Sequence, residues 1–402
     1  MLRDGGPDKG PQSDPLQEPY EILCEIRDAA QRSINARLAD AGFGEISGNA
    51  LLILCAIGLG GTAAHALIPR LGMHGRTASE PIEALIKSEY LDFLVNPDDP
   101  RQVTVVLTKR GRTALDIAIS CLHMDRWDQF PRRPGDIIIS TQPKSGTTWM
   151  QMICALLIFQ TPELPASLPE LSPLLDELAV GRSGRADLYA RLAAQQHRRF
   201  IKTHLPLDKL PADPRVTYIV IARNPLDAAV SMYHQQLNLQ PSDDPQRPYG
   251  TTARQWLVGW IDEMGTGRYS YLHAGLKRLS YVWERKDEYN VVLVHYEDLS
   301  ANLAGEMRRV ASRLQIAVPE DKWPALMEAA TFKQMKAAAD QLRPLEGNGI
   351  NDAVKSRAAF FRRGSSGEGR ALLTDEEVAR YYACAAEIAP PELLAWLHRD
   401  EQ

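Results

Sequence analysis

The sequence feature that most constrains the fold is the stretch Thr141–Trp149, TQPKSGTTW, which follows an apolar run, Asp136–Ser140. A helical pattern, Met150–Phe159, comes directly after it. A strand that passes through a turn of Lys, Ser, Gly and Thr into a helix places backbone N–H groups, hydroxyls and an ammonium around one point. This order predicts a phosphate-binding loop. The loop is not a Walker A motif, because Lys144 precedes Gly146 instead of following it.

The second half of the chain alternates between short apolar runs and helical stretches. The runs and stretches are Ile137–Ser140, Met150–Phe159, Phe200–Thr203, Tyr218–Ala222, Pro225–Leu237, Val291–His295 and Asn302–Leu314. Such alternation predicts an α/β domain with a parallel sheet and flanking helices. Ligands of these sheets bind beyond the carboxyl ends of the strands. We therefore expect the motifs that end these runs to share one site.

The second motif ends a short strand. In Phe200–Pro206, FIKTHLP, Lys202 and His204 stand two residues apart, so both side chains leave the same face of the strand. A histidine beside a phosphate loop is suited to act as a general base, and a lysine next to it can balance negative charge. Alone, the pair would fit a buried structural histidine and a solvated lysine. Its place after a strand favours the catalytic interpretation.

The third motif, Tyr218–His234, is predicted as a strand that ends at Arg223 and a helix that begins with Asn224 and Pro225 as cap and first residue. Arg223 and Ser231 lie about two helical turns apart. Both can therefore address one anion near the start of the helix. Alone, Arg223 would equally fit a surface charge.

These motifs resemble those of one enzyme family. The strings P-K-S-G-T-T-W, K-T-H-L-P and R-N-P-x-D-x-x-V-S-x-x-H match the signatures of the cytosolic-type sulfotransferases in order, and the resemblance spans about Asp136–Thr374. It implies a P-loop-like parallel sheet with flanking helices, and an enzyme that uses 3′-phosphoadenosine 5′-phosphosulfate (PAPS) as co-substrate with no metal. It also implies that His204 takes the proton of the acceptor, while Lys144 and Lys202 neutralise charge on the transferring group.

The same resemblance assigns residues to the nucleotide. Tyr296–Leu299 (YEDL) resembles a segment whose Tyr reaches the nucleotide, Thr331–Lys336 (TFKQMK) resembles the adenine-side segment, and Phe360–Gly364 (FFRRG) resembles the segment that clamps the 3′-phosphate. The implied donor-binding residues are Lys144, Ser145, Gly146, Thr147, Thr148, Trp149, Arg223, Ser231, Tyr296, Phe332, Met335, Arg362, Arg363 and Gly364. Two departures stand out: Arg363 replaces a lysine, and Glu368–Arg370 (EGR) lacks the usual Trp-Lys step.

The first part of the chain has a different pattern. Helical stretches precede two β-rich runs, Tyr90–Val95 and Val103–Leu107, and a last helix, Lys109–His123, follows. Ala66–Leu115 resembles the winged helix-turn-helix domain of the MarR family of dimeric regulators. The resemblance implies a homodimer through Tyr20–Ala41 and the last helix. The expected organisation is a disordered lead-in at 1–19, a mostly α winged-helix domain at 20–125, a linker at 126–135 and a sulfotransferase domain at 136–402.

DNA binding by this domain is disfavoured. The candidate recognition helix, Arg76–Ser88, carries Lys87 but also Glu80, Glu83 and a helix-disturbing Pro81. Acidic side chains oppose contact with phosphates. The pattern favours dimerisation, or a role in shaping the other domain, over retained DNA binding.

Composition narrows the remaining choices. The net charge of −5 is mild, the five cysteines stand singly, and the nine histidines show no metal-binding spacing. No stretch has the roughly 20 apolar residues that span a bilayer. We therefore expect a cytoplasmic protein with no metal and no membrane segment. The expected acceptor group is a hydroxyl, or else an amine. A small, apolar alcohol or phenol is favoured, because no basic stripe suits a polyanion.

Two other functions compete with this interpretation. A nucleotide kinase would need a Walker A lysine, which is absent, and a Mg²⁺-binding carboxylate, for which only Asp298 is a weak candidate. The second alternative is a MarR-like regulator that uses a sulfotransferase-like domain to sense the nucleotide. Lys144, Lys202 and His204 argue against that alternative, because a sensor needs no base.

Overall fold

The computed structural model describes residues 31–58, 62–63, 76–95, 103–176, 182–238, 252–265, 271–339, 361–362, 364 and 366–399. Two compact units divide the chain. The first comprises residues 1–119 with 178–187 and 243–245, and the second comprises 120–177, 188–242 and 246–402. The predicted lead-in at 1–19, the first half (20–30) of the predicted helix Tyr20–Ala41, and Arg363 lie outside the described residues.

The first unit is a small α/β assembly. Its elements are α1 (Gln31–Asp40), α2 (Gly48–Gly58), β1 (Thr62–Ala63), α3 (Arg76–Lys87), β2 (Leu91–Val95), β3 (Val103–Leu107) and the first half of α4 (Lys109–Gln129). The strands form an antiparallel sheet in the order β1-β3-β2. The two predicted β-rich runs therefore pair with each other, with Leu91 opposite Leu107. The MarR resemblance, the dimer and the role of DNA stay predictions.

The helix α3 matches the bounds of the predicted recognition helix to within one residue. Pro81 lies inside it, and the side chains of Glu80, Glu83 and Lys87 are exposed. Its exposed surface is therefore of mixed charge.

The second unit is built on a parallel sheet. Its strands are β4 (Ile137–Thr141), β5 (Phe200–Thr203), β6 (Thr217–Ala222) and β7 (Val291–His295), arranged in the order β5-β4-β6-β7. All three pairings are parallel, which confirms the predicted sheet. The chain passes from β5 over β4 to β6, so the direction of winding changes at β4. The carboxyl end of a strand at such a switch point is the usual ligand site.

Helices surround this sheet. They are α5 (Thr147–Phe159), α6 (Leu168–Leu171), α7 (Arg182–Ala194), α8 (Pro225–Asn238), α9 (Ala253–Gly265), α10 (Tyr271–Trp283), α11 (Tyr296–Ala301), α12 (Leu303–Arg313), α13 (Trp323–Ala329), α14 (Phe332–Ala337), α15 (Glu368–Ala371), α16 (Asp375–Ala386) and α17 (Pro391–Leu397). The first residues of α7, up to Asp187, belong to the first unit. A short 3₁₀ turn follows β5 at Leu207–Lys209.

Both faces of the parallel sheet are buried. Along β4, Ile138 packs into one hydrophobic core together with Val220, whereas Ile137 and Ile139 pack into a second core with Ile219. This alternation follows from the period of two in a strand. Because helices cover both faces, the strands read as continuous apolar runs, as parallel strands usually do.

The predicted linker differs from the structure in one respect. Helix α4 does not end at His123 but continues to Gln129, through the first residues of the expected linker at 126–135. The helix extends this far because Trp127, near its end, and Phe130, directly after it, are buried in the hydrophobic core of the second unit. Within the expected linker, residues 130–135, which include two prolines, lack helix or strand structure.

Candidate active site

The phosphate loop joins β4 to α5 at the switch point. Lys144 has a φ of 69° and Gly146 a φ of 105°. A Cβ on Gly146 would stand 3.0 Å from Cδ2 of Tyr296, so backbone conformation and close packing both require glycine there. Gly146 is also the N-cap of α5 and has no side chain to satisfy the first-turn N–H groups. The helix terminus is therefore open to an anion.

Neighbouring elements hold this loop in place. The hydroxyls of Thr141 and Thr147, at its two ends, hydrogen bond to each other at 2.5 Å. From α10, the Tyr271 hydroxyl donates to the carbonyl of Pro143, and the amide of Gln142 donates to the Tyr271 carbonyl at 2.9 Å. The loop is thus fixed from β4, α5 and α10 before any ligand is considered.

His204 stands beside the loop because of strand register. Thr203 pairs with Ser140 in the parallel ladder, which brings the next residues, Thr141 and His204, side by side. The His204 Nδ1 lies 2.9 Å from the Thr141 carbonyl oxygen. A carbonyl oxygen only accepts, so Nδ1 carries the proton and Nε2 keeps its lone pair. The backbone N–H of His204 donates to Asp176 Oδ2 at 2.6 Å.

The imidazole of His204 is held in its neutral form. Burial is the main cause that lowers its pKa, to about 4, and the charges of Lys202 and Arg278 act in the same direction. The bond to Thr141 and the charge of Asp176 oppose that shift. At neutral pH the ring therefore has a free proton acceptor at Nε2.

Both predicted lysines precede this histidine in the sequence and come from two neighbouring strands or their loops. Lys202 is on β5, paired opposite Ile139 and half-buried. Lys144 is in the phosphate loop, and its Nζ lies 3.4 Å from Oε1 of Gln235 on α8. Lys144 thus follows the carboxyl end of β4, and Lys202 lies one residue before the carboxyl end of β5.

Arg223 follows β6 and joins the phosphate loop to the nucleotide-side residues. Its guanidinium donates to the Lys144 carbonyl at 3.1 Å and lies 4.3 Å from the ring centroid of Tyr296. Ser231 lies farther along α8 and is half-buried. Of the remaining loop residues, Ser145 and Thr147 are buried, and Thr148 is half-buried.

The aromatic residues predicted for the base side form two neighbouring groups. Trp149 packs edge-on against Tyr296 at 5.4 Å and donates its indole N–H to the Ala330 carbonyl at 2.8 Å. Phe332 packs edge-on against Phe361 at 6.0 Å and is half-buried. Met335 is almost completely buried in the core. The structure therefore offers Phe332 as a more accessible surface than Met335.

Gly364 lies beside the same aromatic surface. Its φ is 68°, and an added Cβ would stand 2.7 Å from the Phe332 ring. Close contact with the ring therefore requires glycine at this position. Arg362, close to it in sequence, forms a two-pronged ion pair with Glu368, and Glu368 also lies 3.6 Å from His234 Nε2.

The segment that lacks the usual Trp-Lys step is held by a buried carboxylate. Asp227, in the first turn of α8, accepts the backbone N–H groups of Gly367 at 2.7 Å and Gly369 at 2.8 Å. A Cβ on Gly369 would stand 2.5 Å from the backbone carbon of Leu226, so no larger residue fits this path. Burial raises the pKa of Asp227, although both N–H bonds oppose the rise.

A second carboxylate holds the same segment. Glu297 accepts the hydroxyl proton of Ser366 at 2.5 Å and lies 2.6 Å from Nδ1 of His295. Sequence reasoning did not single out Asp176, Asp227 or Glu297 as site-building residues. Asp227 and Glu297 stood inside recognised motifs, which was the available signal. Asp176 follows no pattern, because its partners come from distant parts of the chain.

Among the described residues, no group of three or more His, Cys, Asp or Glu residues is placed to hold a metal ion. Within the same ranges, no helix has the length and apolarity to cross a membrane.

A parallel α/β unit with an anion-binding loop and an adjacent neutral histidine is typical of group-transfer enzymes that use a phosphorylated donor. Comparison with known proteins defines the family. The sulfotransferase domain family matches residues 134–387, and the chain belongs to this family. It is an enzyme family of transferases, as the motifs predict.

Particular relatives and structures agree with that assignment. A glycolipid sulfotransferase of Mycobacterium bovis (strain BCG / Pasteur 1173P2) is 38% identical over 307 residues, covering 68% of this chain and 90% of the relative. Mouse sulfotransferase SULT7A1 complexed with PAP matches with a TM-score of 0.53 at 20% identity, over 70% of this chain and 94% of that one. Retinol dehydratase in a complex with retinol and PAP has a TM-score of 0.54 at 19% identity, over 77% and 94%. These likenesses give no support to the regulator alternative.

Proposed function

We propose that this sulfotransferase takes its sulfuryl group from PAPS and transfers it to a hydroxyl, with His204 as the general base. The observation that carries the proposal is the hydrogen bond from His204 Nδ1 to the Thr141 carbonyl, at 2.9 Å. It leaves Nε2 as the proton acceptor, next to the phosphate loop. Structural neighbours complexed with PAP support the choice of donor.

The residues of the donor site suit a bisphosphorylated nucleotide. The open N-terminus of α5 and the hydroxyls of Thr147 and Thr148 would receive the 5′-phosphate. Arg223, with Ser231, Arg362 and Arg363, would receive the 3′-phosphate, and Phe332, Trp149 and Tyr296 would face the base. When bound, the donor supplies the sulfuryl group and leaves as the bisphosphate PAP (3′-phosphoadenosine 5′-phosphate).

The chemical roles follow from charge. The acceptor hydroxyl would lose its proton to His204 Nε2 as its oxygen bonds to sulfur, and the bond between sulfur and the bridging phosphate oxygen would break. Lys144 and Lys202 would balance the negative charge that develops on the bridging oxygen and the transferring group. These cations and the loop amides supply the electrostatic stabilisation that the step needs.

We propose an acceptor that carries its hydroxyl on a ring or chain of apolar character. A row of aromatic rings leads to the phosphate loop: Trp256 and Trp260 lie 4.8 Å apart, and Trp260 stacks on Tyr271 at 4.8 Å. Trp256 and Trp260 are half-buried. Such rings suit the face of a sugar or a phenol. The similarity to a glycolipid sulfotransferase favours a sugar hydroxyl over the small phenol expected from sequence.

The test is transfer of ³⁵S from labelled PAPS to galactosylceramide in detergent and to 2-naphthol. His204→Ala is compared with His197→Ala, whose ring lies near the opposite end of β5 and packs on Phe159 and Phe200. We expect His204→Ala to lower kcat about 10²- to 10⁴-fold while PAP affinity stays within about twofold. His197→Ala should retain activity. Unchanged turnover by His204→Ala would overturn the assignment of the base.

A further inference from the structure

Behind His204 lies a buried carboxylate that the reaction itself does not use. Asp176 is 5% exposed, and its two oxygens accept four hydrogen bonds from three groups. Thr203 Oγ1 lies 2.8 Å from Oδ1 and 2.6 Å from Oδ2. The backbone N–H of His204 donates to Oδ2 at 2.6 Å. A charged group this deeply buried requires such donors, because nothing else replaces its lost hydration.

The third donor comes from outside the matched family region. The indole Nε1 of Trp127 lies 2.7 Å from Asp176 Oδ1. Trp127 is on α4 and precedes residues 134–387, the stretch that matches the sulfotransferase family. Its side chain is fully buried, next to Phe130 at 5.9 Å. The second half of α4 therefore completes the hydrogen bonding of a group that touches His204.

We propose that Trp127 and Asp176 are positioning residues for His204, so that the catalytic unit of this chain begins within α4 and not at the start of the matched family region. The inference rests on the proposed role of His204 as base. The imidazole of His204 is placed from two sides: its ring by the Thr141 carbonyl and its backbone by Asp176. Trp127 fixes the carboxylate that holds the backbone.

The geometry explains why this support affects rate. A general base must reach the acceptor proton within hydrogen-bonding distance, and a displacement of about 1 Å costs on the order of 10²-fold in rate. Without the Trp127 N–H, Oδ1 keeps only the hydroxyl of Thr203, and the carboxylate is free to turn about its remaining donors. The nucleotide site does not depend on Asp176 through any of these contacts.

A purely structural role for α4 would have a different signature. Tyr189 of α7 donates its hydroxyl to the Arg126 carbonyl at 2.6 Å, next in sequence to Trp127. That bond fastens the same turn of α4 but does not reach Asp176. Tyr189→Phe is therefore a matched control: it removes one hydrogen bond from α4 and leaves the carboxylate untouched.

The first experiment compares Trp127→Phe and Tyr189→Phe in the full chain, with the ³⁵S transfer assay and PAP titration. We expect Trp127→Phe to lower kcat about tenfold or more, with the KM for PAPS and the PAP affinity within about twofold. Tyr189→Phe should match the unchanged protein. Equal kcat for Trp127→Phe and the unchanged protein, or an equal loss in Tyr189→Phe, would overturn the proposal.

A second readout needs no acceptor. The charged groups that face His204 are Lys202, Arg278 and Asp176. Removing the Trp127 N–H leaves the Asp176 carboxylate less neutralised, so its charge should raise the pKa of His204 toward the ordinary value. NMR titration of the His204 ring, assigned with His204→Ala, should show this rise in Trp127→Phe and no change in Tyr189→Phe; an unmoved pKa would contradict the proposal. Failure of the proposed function would be visible separately, as retained turnover in His204→Ala.

Discussion

The two edges of the parallel sheet place their charges in different surroundings. At the amino edge, charges form closed ion pairs: Arg199 and Asp136, almost fully buried, pair before β5 and β4, and Asp213 pairs with Arg215 and Arg132 before β6. At the carboxyl edge, ion pairs such as Arg362–Glu368 occur together with an uncapped helix terminus and a neutral histidine, and the guanidinium of Arg223 contacts a backbone carbonyl and an aromatic face.

This difference distinguishes the charges that stabilise the fold from those that are placed to bind a ligand. A carboxylate at the amino edge lies next to an arginine, and that contact lowers the pKa of Asp213. At the carboxyl edge, the helix terminus at Gly146 has no side-chain cap, and His204 is neutral beside cationic groups. An anion that arrives there meets N–H groups and cations. Stability should therefore depend most on the amino edge and donor binding on the carboxyl edge.

The largest effect that would sharpen this comparison concerns the amino edge. Asp136→Ala leaves Arg199 buried without its carboxylate, so the free energy of unfolding should fall by about 3–5 kcal/mol. Urea denaturation measures the change. The control, Asp208→Ala, removes a partly exposed carboxylate that pairs with Lys209 and should cost less than about 1 kcal/mol. Similar losses in the two variants would mean that the buried pair contributes nothing special.

A smaller effect is expected where the carboxyl edge is closed by the segment after Gly364. Gly369→Ala places a Cβ 2.5 Å from the Leu226 backbone carbon. Such overpacking should lower the free energy of unfolding by about 1–3 kcal/mol and should also weaken PAP binding. The matched control is Gly259→Ala in α9, where a Cβ meets nothing within 4 Å. That variant should be neutral or slightly more stable. Undiminished PAP affinity in Gly369→Ala would separate this segment from the donor site.

A third effect concerns the protonation of His204. NMR titration of the free protein should give a pKa clearly below 6.5, near 4, because burial and the Lys202 charge disfavour the imidazolium. The unfolded chain binds this proton more readily than the folded protein, so lowering the pH from about 6.5 to 4 should favour unfolding. His204→Gln should lack that part of the pH dependence. A His204 pKa at or above 6.5 would contradict a neutral base.

Much of the second unit follows from its sequence. The bounds of β5 and β7 match the predicted runs, and the phosphate loop stands between β4 and α5 as expected. Local order explains this success, because apolar runs, glycines and caps act over a few residues. Four helices of the second unit, α9, α10, α16 and α17, were not predicted from the sequence.

The supports of the site were harder to predict for the same physical reason. Asp176 contacts Trp127 and His204 across 49 and 28 residues, and a lone carboxylate has no spacing that would announce such partners. In the sequence, the segment near Gly369 lacks the Trp-Lys step of the family motif. In the structure, close packing on Leu226 and two backbone N–H hydrogen bonds to the Asp227 carboxylate determine the path of this segment. Long-range packing, not local pattern, decides these contacts.

The most direct test of the account is calorimetric titration of the full chain with PAP, with ATP as control and no added metal. We predict micromolar or tighter binding of PAP, much weaker binding of ATP, and a clear loss of PAP affinity in Arg223→Ala. That result would establish the carboxyl edge of the sheet as the site of a 3′-phosphorylated nucleotide. Absence of PAP binding, or equal affinity for ATP, would contradict the proposed donor and the contrast between the two edges on which it rests.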